Sequence, residues 1–167
     1  QIGDLFSIGS ENYFLQNTYS LLLEAYLRFA HNQIDYKEHA NLLYNAYQEG
    51  ELRFGKAKAY GIEMWLKKNT GKLSGWLGYT YSKVSRETKD INDNQPYYPY
   101  YDRPHQIQIR LNYHPSQRIS LYASWYYMTG GKTTIPSGFY DNNNFIIPIY
   151  EEKNNARLPD YHRMDIA

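Results

Sequence analysis

The sequence predicts an all-β chain, an antiparallel up-and-down meander that forms part of a large transmembrane β-barrel. Three observations predict it. Apolar and polar residues alternate with a period of two through five separate segments. Short connections of about four residues alternate with long ones rich in Asn, Asp, Pro, Gly and Tyr. Tyrosine occurs 20 times in 167 residues, with many tyrosines near the ends of the alternating segments.

The first element, Tyr19 to Phe29, is ambiguous on propensity alone. Leu21-Leu22-Leu23-Glu24-Ala25 favours a helix, yet Tyr19, Leu21, Leu23, Ala25, Leu27 and Phe29 also fit one face of a strand. Its neighbours offer a helix no second layer to pack on, so a strand is assigned. Next, Tyr60, Ile62, Met64 and Leu66 oppose Ala59, Gly61, Glu63, Trp65 and Lys67. The link Asn69-Thr70-Gly71-Lys72 then places a glycine where a short hairpin needs positive φ. Leu73 to Ser82 alternates again, with Leu73, Leu77, Tyr79 and Tyr81 on one side. Gln106 to Tyr113 separates cleanly into Ile107, Ile109, Leu111 and Tyr113 against Gln106, Gln108, Arg110 and Asn112. Pro115-Ser116 marks a tight turn into Arg118 to Met128, where Ile119, Leu121, Ala123, Trp125 and Tyr127 share a face. A sixth strand is expected to be cut at Ala167. The long connections fall at roughly 33–55, 86–104 and 130–160, and connections of that length are usually functional.

The strand faces separate a membrane wall from a soluble sandwich. The five apolar faces pool to 24 positions and none carries a charge, although charged residues make up 21% of the chain. The opposite faces carry Glu24, Arg28, Glu63, Lys67 and Arg110; Glu24, Arg28, Glu63 and Arg110 are expected to face a lumen, Glu63 and Arg110 against a plug. With the short turns on one side of a bilayer, Tyr19 and Tyr113 lie near one rim. Tyr60, Tyr79, Tyr81, Trp125 and Tyr127 lie near the other, with aliphatic residues between, as in a lipid-facing wall. Five strands and a truncated sixth cannot close a barrel, since the smallest bacterial ones use about eight. Open edges in lipid would leave backbone groups unpaired. The chain is therefore expected to be a fragment of a larger wall, one partial barrel domain over residues 1–167. It opens on Gln1 with no charged-then-apolar leader.

Composition removes several function classes. A net charge of +1 gives no basic field for nucleic acid. Zero cysteines exclude a disulfide scaffold and a thiol nucleophile. No run of 18 apolar residues can form a transmembrane helix. The five histidines show no metal-ligand spacing with an acid, so no metal and no cofactor are expected. Ser137 lacks a nucleophile elbow to go with Asp160 and His162, and Gly130-Gly131-Lys132 lacks the spacing of a phosphate loop. No enzyme activity is expected.

Two stretches resemble a known family. Gly55-Lys56-Ala57-Lys58-Ala59-Tyr60-Gly61-Ile62-Glu63, followed by Leu66-Lys67-Lys68-Asn69-Thr70-Gly71-Lys72-Leu73 and then Gly75-Trp76-Leu77-Gly78-Tyr79-Thr80-Tyr81-Ser82, forms the first. Tyr101-Asp102-Arg103-Pro104-His105 with Asn155-Ala156-Arg157-Leu158-Pro159-Asp160-Tyr161-His162-Arg163-Met164-Asp165 forms the second. Together they resemble the late barrel of TonB-dependent outer-membrane receptors from Bacteroidetes-type bacteria, over roughly residues 17–167. The resemblance implies a bacterial outer-membrane location and import of a bulky nutrient of the siderophore, glycan or corrinoid class. It also implies a plug domain and a TonB complex, both contacted through parts of the protein outside this chain, and outer-membrane lipid around the wall. The competing expectation is a soluble tyrosine-rich β-sheet module for binding or adhesion.

Candidate ligand contacts lie in the long connections. Tyr97, Tyr98, Tyr100 and Tyr101 offer stacking surfaces and hydroxyls. Phe139 and Tyr140 precede Asp141-Asn142-Asn143-Asn144, a run that favours a tight turn and so a small hairpin with Phe145, Ile146 and Ile147. Arg103 beside Asp102 and Arg157 near Asp160 are expected to form ion pairs at the loop bases.

Overall fold

The computed structural model describes residues 2–167. In chain order its strands are β1 (Ile2–Phe14), β2 (Tyr19–Tyr36), β3 (Leu52–Lys68), β4 (Leu73–Thr88), β5 (His105–Ser116) and β6 (Ile119–Met128). Then follow β7 (Lys132–Thr133), β8 (Gly138–Asn142), β9 (Phe145–Ile149), β10 (Ala156–Arg157) and β11 (Tyr161–Ile166). One seven-stranded antiparallel sheet runs β1-β2-β3-β4-β5-β6-β11, each strand beside its sequence neighbour apart from the excursion between β6 and β11. Two small ladders, β7 with β10 and β8 with β9, lie within that excursion.

The alternating segments are strands, including Tyr19 to Phe29, where the β pattern prevails over the helical propensity of the leucines. Two features differ from expectation. The sheet has seven strands rather than five and a stub, because Ile2–Phe14 pairs along its whole length with β2. Asp4, Ser10 and Asn12 interrupt the apolar parity of that segment, and Gly3 and Gly9 add no side chain, so its period of two is faint. The strands also run well past the alternating cores, with β2 reaching 18 residues and β3 reaching 17.

Every short connection lies at one end of the sheet: residues 15–18, 69–72 and 117–118. The first of them turns through three consecutive residues with positive φ, Leu15, Gln16 and Asn17. The long connections, 37–51, 89–104 and 129–160, all lie at the other end. Rows of hydrogen-bonded partners climb relative to the short turns. The row starting at Tyr19, the first residue after a turn, passes Lys68, Gly75 and Leu111 and reaches Ala123, the fifth residue after another. Four residues of shift over four strand spacings is about 13 Å against about 19 Å, a strand tilt of about 35° when the turns are level. Strands in closed barrels tilt by about 35–45°.

Among the described residues no second layer packs on either face of the main sheet. The only buried apolar side chains among the described residues are Ala30, Ile91, Tyr97 and Pro99, all toward the long-loop end. The exposed surface is 12036 Å² for 19.8 kDa, whereas a compact monomer of that mass exposes roughly 8,600 Å². Burial of apolar area, the main stabiliser of a soluble domain, is nearly missing from the sheet.

Candidate functional site

The long-loop end is held by a charged cluster that draws on all three long connections. Asp35, in the extension of β2 beyond a bulge between Ala30 and Gln33, accepts from Tyr97 Oη at 2.6 Å, Lys153 Nζ at 2.7 Å and Arg86 Nη1 at 3.4 Å. Burial works to raise its carboxyl, but the hydrogen bonds from Lys153 and Tyr97 outweigh burial and hold it below the usual carboxylate value. The Tyr97 hydroxyl is pushed up to about 12, first by burial and then by donating to Asp35. Arg86 also donates to the Ile34 carbonyl at 3.0 Å and pairs its backbone with Tyr97. Asn92 completes the joint. Its backbone N–H donates to Glu38, and its side chain exchanges hydrogen bonds with the backbone of Lys153 at 2.7 and 3.2 Å. Ile91 and Thr88 fill the space beneath.

A second clasp ties the base of the loop at 89–104 to that at 129–160. Asp102, 1% exposed, accepts from Arg157 Nη2 and from the Val84 N–H, at 2.7 and 3.0 Å. Arg157 Nη1 donates to the carbonyls of Asp102 and Gly130. This corrects the expected pairings, because the salt bridge joins Asp102 to Arg157 across the two loops. Adjacent residues on an extended chain point to opposite sides, which turns Arg103 toward the sulfur of Met128. Asp160 accepts from the Tyr127 hydroxyl and the Gly130 N–H, and those bonds, the tyrosine's first, hold its carboxyl below the usual value.

The expected ligand-contact residues separate by exposure. Tyr97, 4% exposed, is part of the joint and offers no free ring, which corrects its place among them. Tyr98 lies beneath two ammonium groups, Lys83 at 5.0 Å and Lys132 at 5.5 Å from its centroid. Tyr100 is 72% exposed and meets Tyr101 edge-on at 5.1 Å. Phe139 and Tyr140 stand exposed on opposite faces of the β8–β9 hairpin, whose turn residues Asn143 and Asn144 both have positive φ. That hairpin is built as the Asn run predicts.

The two faces of the sheet differ in charge. On the face of Leu21, Met64, Leu77, Ile109 and Trp125, charge appears on β1–β4 only at the ends. Asp4, Lys58 and Lys83 stand toward the long loops, and Lys68 stands at the short-turn end, donating to the carbonyls of Thr70 and Leu73. From Lys58 to Lys68 is about 33 Å of strand, or about 27 Å of height at the tilt given above. The other face carries Glu24 directly opposite Glu63, with Arg28, Lys67 and Arg110 on the same side. Among the described residues none of these five forms a salt bridge. Two aromatic rings there are seated against glycines: a Cβ at Gly61 would meet the Tyr26 ring at 2.8 Å, and one at Gly78 would meet the Trp65 ring at 3.0 Å.

Asp35, Arg86 and Lys153 were not foreseen. They are 51 and 67 residues apart along the chain and share no motif, so only the fold brings them together. Among the described residues no group of three or more His, Asp or Glu could hold a metal ion, and no helix is long and apolar enough to cross a membrane.

No protein-family model matches this chain, and no curated protein or solved structure matches it.

Proposed function

We propose that this chain is a stretch of wall in a bacterial outer-membrane β-barrel, part of a TonB-coupled receptor that imports a bulky nutrient. The carrying observation is the uncovered sheet face with an uncharged belt of about 27 Å between terminal charges. An outer-membrane barrel needs an apolar band about 25 Å tall, with aromatic girdles at its rims. In water such a face would need a second layer; in a bilayer, lipid covers it. The tilt of about 35° and the segregation of short turns from long loops support the same reading.

On this reading the two edge strands, β1 and β11, pair with further strands, because an open edge in hydrocarbon costs several kcal/mol for each unpaired group. The face of Glu24, Arg28, Glu63, Lys67 and Arg110 lines the lumen, and a plug carried elsewhere in the protein closes it. The long loops stand outside the cell as the capture surface, with Tyr100, Tyr101, Phe139 and Tyr140 as its exposed rings. The chain's part in uptake is binding and passage, without covalent chemistry.

Cell fractionation tests the proposal. The protein should sediment with the outer membrane, resist extraction by salt and high pH, and dissolve only in detergent. Recovery in the aqueous fraction without detergent would favour the soluble tyrosine-rich binding module instead.

A further inference from the structure

The polar face of the sheet carries more aromatic surface than a water-lined wall requires. Trp65 and Trp76 lie with ring centroids 4.9 Å apart at 48°, and the Arg110 guanidinium carbon stands 5.6 Å from the Trp76 centroid. One hydrogen-bonded row reads Ser20, Lys67, Trp76, Arg110, Ser124, Asp165. Trp76 is therefore flanked by two cations. The acid of that row is engaged by its own neighbour, since Asp165 accepts from Arg163 at 2.9 Å. Lys67 and Arg110 have no acidic partner among the described residues. A cavity of about 200 Å³ opens beside Trp76 and Arg110, with Gln108, Ser124 and the paired Arg163 and Asp165 also in its lining. That volume suits a single ring rather than a large ligand.

We propose that Trp65, Trp76 and Arg110 form a stacking subsite for a sugar ring bearing a carboxylate. This proposal rests on the lumen assignment of that face. An indole offers an apolar face to a sugar or aryl ring, and a guanidinium offers a planar pair of donors to a carboxylate. Because Arg110 already lies against an indole, it is held without an acid and keeps its donors for the ligand. The subsite sits in the short-turn half of the wall: Trp76 is the fourth residue after the turn at 69–72, and Trp65 is four residues before it. A solute would reach it only after leaving the long loops, so its role is in passage rather than capture.

The test uses the intact protein in detergent, with Trp125→Phe removing the indole of the opposite face. Tryptophan emission is titrated with 4-nitrophenyl glucuronide and with its neutral counterpart, 4-nitrophenyl glucoside. The expected result is saturable quenching by both, with the glucuronide about tenfold tighter and its advantage falling as salt rises. Arg110→Gln should erase the difference between the two probes, while Arg110→Lys should keep part of it. Heat-modifiable gel mobility reports whether each variant is a folded barrel. Equal affinities for the two probes, or no saturable quenching in a folded barrel, would overturn the subsite and leave the barrel reading standing. Loss of heat-modifiable mobility in the parent protein would instead count against the barrel reading, and the subsite would fall with it.

Discussion

Asp35 holds the long loops together through a carboxyl whose charge is set by its surroundings. Its folded value lies below the unfolded one. Its stabilisation is therefore complete above the unfolded value of about 4 and is lost as pH falls through the folded value. Asp35→Asn should loosen the loops by about 2 kcal/mol, since it takes the anionic acceptor from three donors at once. Pepsin digestion of the detergent-solubilised protein checks both statements. Cleavage within 37–51 and 129–160 should accelerate in the parent protein from about pH 4 downward, and should already be fast at pH 4 in Asp35→Asn. Equal protection of the two proteins throughout would remove Asp35 from this role. At this scale the sequence was only partly legible. Asp102 and Arg157 stand out beside prolines, but their partnership spans 55 residues and depends on how two loops cross. Tyr97 was indistinguishable from Tyr98, Tyr100 and Tyr101 until the fold placed its hydroxyl on Asp35.

Strands were legible wherever one face is uniformly apolar. β5 and β6 alternate without a break, whereas β1 mixes Asp4, Ser10 and Asn12 with Phe6, Ile8 and Phe14 on one face and is recognisable only from its pairing with β2. The hairpin of β8 and β9 was legible because two asparagines tolerate the positive φ its turn requires. Leu111 and Asn112 give a test at this scale. They are consecutive on β5, Leu111 on the uncharged face and exposed, Asn112 on the polar face opposite Ser74 and Tyr122. An exposed leucine in water should accept arginine at little cost. In a bilayer, Leu111→Arg at mid-height should cost about 2–4 kcal/mol and Asn112→Arg far less. Urea titration of the barrel in lipid vesicles measures the two, and similar losses for both would contradict the assignment of faces. Deleting 138–149 addresses the loops. On the proposed reading the wall makes no use of β8 and β9, so a barrel should assemble with unchanged heat-modifiable mobility while nutrient uptake falls. Failure to assemble would make the hairpin structural, and unchanged uptake would make it dispensable.

At the scale of the whole molecule the described residues form a tilted sheet with no second layer on either face. Its surface of 12036 Å² is about 1.4 times that expected of a compact chain of its mass. The sheet and its order of turns followed from periodicity and loop length, which are local properties. What covers the faces is not local, and composition alone left lipid and a second protein layer as alternatives. The three tryptophans divide the two faces between them: Trp125 stands on the uncharged face, and Trp65 and Trp76 stand on the polar one. The most direct test reconstitutes two single-tryptophan proteins, one keeping Trp125 and one keeping Trp65, in vesicles whose acyl chains carry bromine. Bromine quenches only by contact. Emission from Trp125 should be strongly quenched by the brominated lipid and little affected by aqueous iodide, while Trp65 should be insensitive to the lipid. Equal quenching of both by the lipid, or protection of Trp125 from it in folded protein, would contradict the membrane wall.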